Sequence, residues 1–175
     1  MSSREGLSRL MKNKRLWAPW RAAYVSAIHK KVKGCVFCRI AKENKDQKNY
    51  IFKRHRYCFA VLNIFPYNNG HAMIIPNRHV NDLKKLRKEE KADLWALLED
   101  VKDLLDRVLK PQGYNIGINM GKSAGAGFPG HIHIHIVPRW QGDENFMPVI
   151  AQTKVVSQSM DILLERLCYA DQRRD

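Results

Sequence analysis

Three histidines alternate with three isoleucines at residues 131–136, in the segment HIHIHIVPRW. Side chains alternate across a β-strand, so the pattern predicts a strand over residues 131–137. His131, His133 and His135 would lie on one face, and the isoleucines would pack on the core. Because three histidines are a poor way to make a merely polar surface, we expect the imidazoles to line a functional cleft.

The residue types leave two kinds of chemistry open for these histidines. They could bind a catalytic metal ion, although same-face residues lie about 7 Å apart between α-carbons, so that three hardly share one ion. Alternatively, a neutral imidazole could attack phosphorus and form a labile phosphoramidate. The preceding loop GKSAGAGFPG, residues 121–130, favours the second chemistry. Its glycines let backbone N–H groups approach phosphate oxygens, and Lys122 adds positive charge.

Cys35 and Cys38 have the C-x-x-C spacing that provides half of a tetrahedral zinc site. The other two cysteines, Cys58 and Cys168, form no second pair, so any further ligands would have to be histidines. A reduced, metal-free pair is the alternative. A redox pair of the thioredoxin type is disfavoured because the strand-to-helix context is missing.

Length and composition indicate one domain with an arm. The chain has 175 residues, of which 45% are apolar and 27% charged, as in ordinary globular proteins. No apolar run approaches the ~20 residues that span a bilayer, and the first residues lack the apolar core of a signal peptide. Four cysteines are also too few for a secreted disulfide scaffold. We therefore expect a cytoplasmic protein with no membrane partner.

The net charge of +14 is concentrated in the N-terminal third. Residues 1–56 contain 16 Lys and Arg against 3 Asp and Glu, whereas residues 57–175 contain 15 against 14. Residues 1–30 are therefore predicted to form a basic arm, which carries Trp17 and Trp20, before a domain of residues 31–175. Such an arm can attract nucleic acid or a polyanionic small molecule, or it can be a solvated segment.

The elements that position these groups indicate an α+β fold. The segment of residues 87–110 has the periodicity of a helix whose apolar face consists of Leu94, Leu98, Val101, Leu105 and Val108. Strands are predicted at residues 51–52, 57–62, 71–75, 114–120 and 131–137, and a final helix at about 157–169. This order predicts a mainly antiparallel sheet of about five strands, with a long helix and a C-terminal helix.

The histidine segment resembles the His-x-His-x-His-x-x signature of the histidine triad (HIT) superfamily. Three earlier segments are also similar to that superfamily: CVFCRI at 35–40, FAVLNIFPYNNGHAMIIPNRHV at 59–80 and NMGKSAGAG at 119–127. LWAPWR at 16–21 and PRWQGDENFM at 138–147 resemble its bacterial diadenosine tetraphosphate phosphorylase-like branch. The resemblance implies a HIT-like fold. It also implies an enzyme that cleaves dinucleoside polyphosphates at an α-phosphate through a nucleotidyl-histidine, by phosphorolysis or hydrolysis.

The resemblance also implies roles for individual residues. His133 would be the nucleophile, and His135 would lie near the phosphates and assist the leaving group. His71 would approach the phosphates, Asn63 would meet the ribose, and the phosphate-contacting loop would contain Asn119, Gly121 and Ser123. Zinc-bearing members complete the C-x-x-C site with two histidines, so the metal ligands implied here are Cys35, Cys38, His79 and His131. A structural zinc, no organic cofactor and a homodimer paired across the long helix and a strand are expected.

One departure from the family leaves the acceptor open. Many members have G-Q-S/T-x-x-H before the triad, whereas this chain has G-A-G-F-P-G-H at residues 125–131. Ser123, backbone N–H groups or His135 would then stabilise the leaving group. The acceptor of the nucleotidyl group could be water or inorganic phosphate. An adenosine 5′-phosphoramidate hydrolase is a close alternative. A nucleic-acid-binding module with structural zinc would explain the basic arm but not the histidines. Trp140 could stack on a base or pack against the C-terminal tail.

Overall fold

The computed structural model describes residues 34–144, 156 and 158–173. Its helices and strands follow in the order α1 (Val36–Lys42), β1 (Ile51–Arg54), β2 (Cys58–Leu62), β3 (Ala72–Pro76), α2 (Lys88–Leu109), β4 (Gly113–Ile118), β5 (Ile134–Arg139) and α3 (Met160–Gln172). The five strands form one sheet in the order β1-β2-β3-β5-β4, and every neighbouring pair is antiparallel. This confirms the predicted α+β fold. The predicted arm, residues 1–30 with Trp17 and Trp20, lies outside the described residues.

The long helix α2 covers one face of the sheet. Its buried side chains include Leu94, Leu98, Val101 and Leu105, as the periodicity predicts. The helix begins after Arg87, whose backbone N–H donates to the Glu90 carboxylate at 2.8 Å. It ends at Lys110, which adopts a left-handed conformation before Pro111. Together with α3, this helix encloses the larger apolar core.

A second, smaller apolar layer covers part of the opposite face. Its buried members are Phe37, Ile40, Ile51, Phe59, Val61 and Ile75. Because both faces are covered, all five residues of β2 are buried, and the strand lacks the polar alternation of a half-exposed strand. The helix that supplies Phe37 and Ile40, α1, is absent from the sequence prediction because seven residues carry too little periodicity.

The connection between β2 and β3 brings residues 63–71 beside the histidine segment. Gly70 ends this connection with φ of +74°, and a Cβ there would overlap the Leu109 side chain. The positive φ favours glycine here, and the tight turn places His71 at the start of β3. No helix among the described residues has the length and apolarity needed to cross a membrane.

The histidine segment differs from its prediction at its start. The β-ladder begins at Ile134, which pairs with Ile74 of β3 and Ile118 of β4, so His131 and His133 precede the strand. The prediction that the three isoleucines pack on the core is confirmed, since Ile132, Ile134 and Ile136 are all buried. His131 and His133 are 1% and 4% exposed, and Phe37 of the smaller apolar layer packs against both rings, so the cleft predicted beside the imidazoles stays a prediction.

Candidate active site and metal centre

The imidazole of His133 has one nitrogen committed to the backbone. Its Nδ1 lies 2.9 Å from the carbonyl oxygen of His131. A carbonyl oxygen only accepts hydrogen bonds, so Nδ1 carries the proton and Nε2 keeps a lone pair. Burial lowers the pKa of His133, which keeps the ring neutral at neutral pH. A neutral ring with a lone pair on Nε2 has the form that a nucleophile requires.

His135 and His71 form a hydrogen-bonded pair of imidazoles beside this ring. The Tyr67 backbone N–H donates to His71 Nδ1 at 3.0 Å, so the proton of neutral His71 is on Nε2. His71 Nε2 lies 2.9 Å from His135 Nδ1, which therefore accepts and leaves the His135 proton on Nε2. Burial, with the charge of His135 as a smaller cause, lowers the pKa of His71 to about 3. The His133 and His135 ring centroids are 4.7 Å apart, so the Nε2–H of His135 is a hydrogen-bond donor beside the His133 imidazole.

Asn63 lies next to the imidazole pair, immediately after β2. Its Oδ1 accepts the Phe65 backbone N–H at 3.0 Å, and its Nδ2 lies 3.3 Å from His71 Nδ1. The side chain is buried, and both contacts hold it in one orientation. The structure therefore brings together Asn63, His71, His133 and His135, four of the seven residues predicted to bind substrate or take part in catalysis.

The remaining three residues, Asn119, Gly121 and Ser123, lie in the connection from β4 to the histidine segment. Gly121 and Ser123 are exposed, and Asn119 is half-buried. The connection contains a 3-10 turn at Lys122–Ala124, flanked by Gly121 and Gly125 with φ of about +80°. Asn119 follows Ile118, which pairs with Ile134 of β5, and the contact of all three residues with phosphate stays a prediction.

The four predicted metal ligands converge in one cluster, which we call the Cys2His2 cluster. One ligand atom each from Cys35, Cys38, His79 and His131 lies within 4.8 Å of the others. His131 Nδ1 is 3.3 Å from Cys35 Sγ and 3.6 Å from Cys38 Sγ, and Cys38 Sγ is 3.3 Å from His79 Nδ1. Bond lengths of about 2.0–2.3 Å in a tetrahedral zinc site give ligand separations of about this size.

The protonation of the ligands also fits a metal ion. His131 Nε2 lies 2.9 Å from the carbonyl oxygen of Pro76, so it donates its proton there and turns the Nδ1 lone pair toward the thiols. Burial lowers the pKa of His131 to about 4, which favours the neutral, ligating form. Burial and the neighbouring Cys35 raise the pKa of the Cys38 thiol, and a bound dication would relieve that repulsion. Cys2His2 is a common donor set for structural zinc.

Sequence reasoning missed Phe37 and Tyr67 as parts of the site. The Phe37 ring is 5.6 Å from the His131 ring and 5.2 Å from the His133 ring, measured between centroids, so it backs both imidazoles. Its position inside the C-x-x-C pair was the available signal. Tyr67 acts through its backbone N–H, which no sequence pattern identifies.

A second group of ligand types, His55, Cys58 and Asp93, also lies within 4.8 Å. Here Asp93 accepts the Tyr57 backbone N–H at 2.7 Å and lies 3.3 Å from His55 Nδ1. It also accepts the Cys58 thiol at 3.4 Å. His55 Nε2 lies 3.0 Å from Asp100 of the same helix. These contacts fasten the turn between β1 and β2 to α2, which gives the group a structural role.

Comparison with known proteins decides the family. The HIT domain family model matches residues 43–142, more than half of the chain. The chain belongs to the HIT family. AP-4-A phosphorylase of Mycobacterium tuberculosis is 36% identical over 150 residues, which cover 82% of this chain and 77% of the relative. This similarity confirms the resemblance to the diadenosine tetraphosphate phosphorylase-like branch.

Two further relatives of this HIT protein bear on the site. The asymmetrical bis(5′-nucleosyl)-tetraphosphatase of Schizosaccharomyces pombe is 37% identical over 93 residues, which cover 53% of this chain and 50% of the relative. A Zn-bound histidine triad family protein from Mycobacterium smegmatis has a crystal structure that aligns with a TM-score of 0.62 and 28% identity. That alignment covers 78% of this chain and 92% of the other.

Proposed function

We propose that this HIT protein cleaves dinucleoside polyphosphates at an α-phosphate through a nucleotidyl intermediate on His133. The observation that carries the proposal is the 2.9 Å contact from His133 Nδ1 to the His131 carbonyl oxygen, which leaves Nε2 with a lone pair. The names of the two enzyme relatives, a phosphorylase and a tetraphosphatase, support this class of substrate.

In the first step, the His133 Nε2 lone pair attacks the α-phosphorus. A P–N bond forms and the P–O bond to the leaving nucleotide breaks, and the leaving phosphate oxygen departs as an anion that accepts a hydrogen bond from His135 Nε2–H. The His71 Nε2–H donates to His135 Nδ1 at 2.9 Å, which keeps the His135 proton on Nε2, where it can make that hydrogen bond. Backbone N–H groups of the Gly121–Ser123 turn and Lys122 would stabilise charge on the transferred phosphoryl group. Asn63 would bind the ribose.

In the second step, an acceptor attacks the phosphorus and the P–N bond breaks, which returns His133 to its neutral form. Inorganic phosphate attacks through an oxygen that is already anionic, whereas water would release a proton to the solvent; His135 Nε2–H donates a hydrogen bond to the phosphate oxygens in either case. We favour inorganic phosphate as the acceptor, because the relative named a phosphorylase matches 82% of the chain and the tetraphosphatase only 53%. Water as the acceptor would make the protein a hydrolase by the same first step.

We propose that the Cys2His2 cluster binds zinc. Its donor set, its ligand separations and the Zn-bound relative support this. Four protein ligands fill a tetrahedral coordination sphere, so the ion would have no position for water and would stabilise structure. This division leaves His131 for the metal and His133 for the chemistry.

A homodimer and a cytoplasmic location are also proposed. β4 is an edge strand, on which Ile116 is 48% exposed, and Trp95 of α2 is 61% exposed. Pairing of two copies through β4 and α2 would bury these side chains and satisfy the free sheet edge. The division at residue 30, the role of the basic arm and base stacking on Trp140 stay predictions.

The test is to identify the products of purified protein incubated with diadenosine tetraphosphate, with and without inorganic phosphate, and separately with adenosine 5′-phosphoramidate. We expect ADP and ATP, formed only when phosphate is present. AMP formed without phosphate would indicate a hydrolase, and preferred cleavage of the phosphoramidate would favour that alternative. No turnover of any of the substrates, together with salt-dependent binding to oligonucleotides, would favour the nucleic-acid-binding module instead.

A further inference from the structure

The proposed nucleophile lies outside the β-ladder that holds the rest of its segment. The pairs between β5 and its neighbours begin at Ile134, one residue after His133. The residues before it make two backbone hydrogen bonds outside the ladder: His131 N–H to the Phe128 carbonyl at 3.2 Å and Ile132 N–H to the Val80 carbonyl at 2.7 Å. The His131 carbonyl, which selects the tautomer of His133, shares its peptide plane with the Ile132 N–H, so it is oriented by Val80, the residue after His79 of the Cys2His2 cluster.

The side chain of His131 also holds this part of the backbone. Its Nε2–H donates to the Pro76 carbonyl at the end of β3, and its Nδ1 belongs to the Cys2His2 cluster. The residue is 1% exposed, so the ring is enclosed on all sides. The carbonyl that orients the nucleophile and the imidazole that joins the cluster thus belong to one residue.

The cluster contacts the nucleophile by a second route. Phe37 stands between Cys35 and Cys38 in the chain, and its ring lies 5.2 Å from the His133 ring and 5.0 Å from the Phe128 ring. Movement of the two cysteines would move Phe37, which backs the His133 imidazole. Both routes lead from the cluster to the orientation of His133, and neither passes through Asn63 or the turn at Lys122–Ala124.

We propose that the Cys2His2 cluster positions the nucleophile, with His131 and Phe37 as positioning residues that act through His133. The inference rests on the proposed function. Metal binding then fixes the backbone of residues 131–133, as strand pairing fixes the backbone of residues 134–139. Loss of metal should therefore lower kcat about 10- to 100-fold, the usual effect of disturbing residues that orient a reactive group. KM should change less than about threefold, because the groups proposed to bind substrate lie on other segments.

The test compares zinc-loaded protein, chelator-treated protein and the variants His79→Ala and His79→Cys. His79→Cys retains four ligands, whereas His79→Ala removes one that is exposed and contacts Cys38. Nitrogen-15 NMR of the histidine rings reports the His133 tautomer, and steady-state kinetics report kcat and KM. Zinc content is measured for each sample. Cys58→Ser is the matched control, because Cys58 lies outside the Cys2His2 cluster.

We expect zinc-loaded protein, His79→Cys and Cys58→Ser to show His133 protonated only at Nδ1, with the kcat of the loaded protein. Chelated protein and His79→Ala should show a mixture of tautomers and the lower kcat, and added zinc should restore the chelated protein. An unchanged tautomer and kcat after zinc loss would overturn the proposal. So would loss of the β1 and β2 amide signals together with the kcat effect, since that indicates a purely structural metal. If zinc-loaded protein shows one tautomer but no turnover of any substrate, the proposed function fails and the positioning of His133 stands.

Discussion

The two ends of the histidine segment hold their imidazoles in different ways. At its start, His131 and His133 each donate to a backbone carbonyl, which can only accept a hydrogen bond. At its end, His135 accepts a hydrogen bond from the imidazole of His71, whose own tautomer is set by the Tyr67 N–H. The partner therefore decides the role: a carbonyl at Nδ1 leaves His133 with a lone pair on Nε2, while a donating imidazole at Nδ1 leaves His135 with a proton on Nε2. One residue type thus supports a ligand, a nucleophile and a hydrogen-bond donor within five positions.

Replacing His133 and His135 separately should give the largest difference in kcat between the two ends of the segment. Asparagine at position 133 can still donate to the His131 carbonyl but has no Nε2 lone pair. We expect His133→Asn to lower kcat about 10⁵-fold, because no nucleophile remains. Asparagine at position 135 can still accept from His71 but has no Nε2–H. We expect His135→Asn to lower kcat about 100-fold, as for loss of one hydrogen-bond donor that stabilises charge on the leaving oxygen.

Both variants should bind a non-hydrolysable dinucleotide analogue with the affinity of the native protein, which is the control for folding. Equal losses in the two variants would remove the distinction between the nucleophile and the hydrogen-bond donor. A larger loss for His135→Asn than for His133→Asn would reverse the two roles.

A smaller effect should appear in the pH dependence of stability at the His71 end. In the folded protein the pKa of His71 is lowered to about 3, and burial is the largest cause. A histidine in the unfolded chain has a pKa of about 6.5. Between these values the unfolded chain binds more protons, so the free energy of unfolding falls as pH drops from about 6.5 toward 3. Urea unfolding of the native protein and of His71→Asn should show a shallower fall for the variant. Parallel curves would mean that His71 ionises alike in both states.

Much of this site could be predicted from residue type and spacing. The helix predicted at residues 87–110, observed at Lys88–Leu109, follows from strong local periodicity, and Cys35 and Cys38 follow from their spacing. His79 and His131 followed only from the resemblance to zinc-bearing HIT members. The start of the strand at Ile134 could not be predicted, because the sequence alternation extends back to His131 although the pairing with β3 and β4 begins only at Ile134. The short helix α1 and the contacts of Phe37 depend on packing between distant segments, which periodicity does not report.

The two groups of metal-ligand types show the same limit of sequence reasoning. In the Cys2His2 cluster, the Pro76 carbonyl takes the His131 proton and leaves a lone pair directed at the thiols. In the group around Asp93, both nitrogens of His55 lie beside carboxylates, and the Asp93 oxygens already accept backbone and thiol donors. Residue types alone do not predict which of the two groups has a lone pair available for a metal ion. That difference arises from hydrogen-bond partners on other segments.

The central claim is that His133 Nε2 bonds to the α-phosphorus, and trapping that bond tests it most directly. Protein mixed with diadenosine tetraphosphate without an acceptor phosphate is quenched within one turnover under alkaline conditions that preserve phosphoramidates. It is then digested and sequenced by mass spectrometry. We predict an adenylyl group on the peptide that contains residues 131–139, attached at His133 and absent from His133→Asn. Rapid turnover with no adduct, or an adduct on His135 or His71, would contradict the claim.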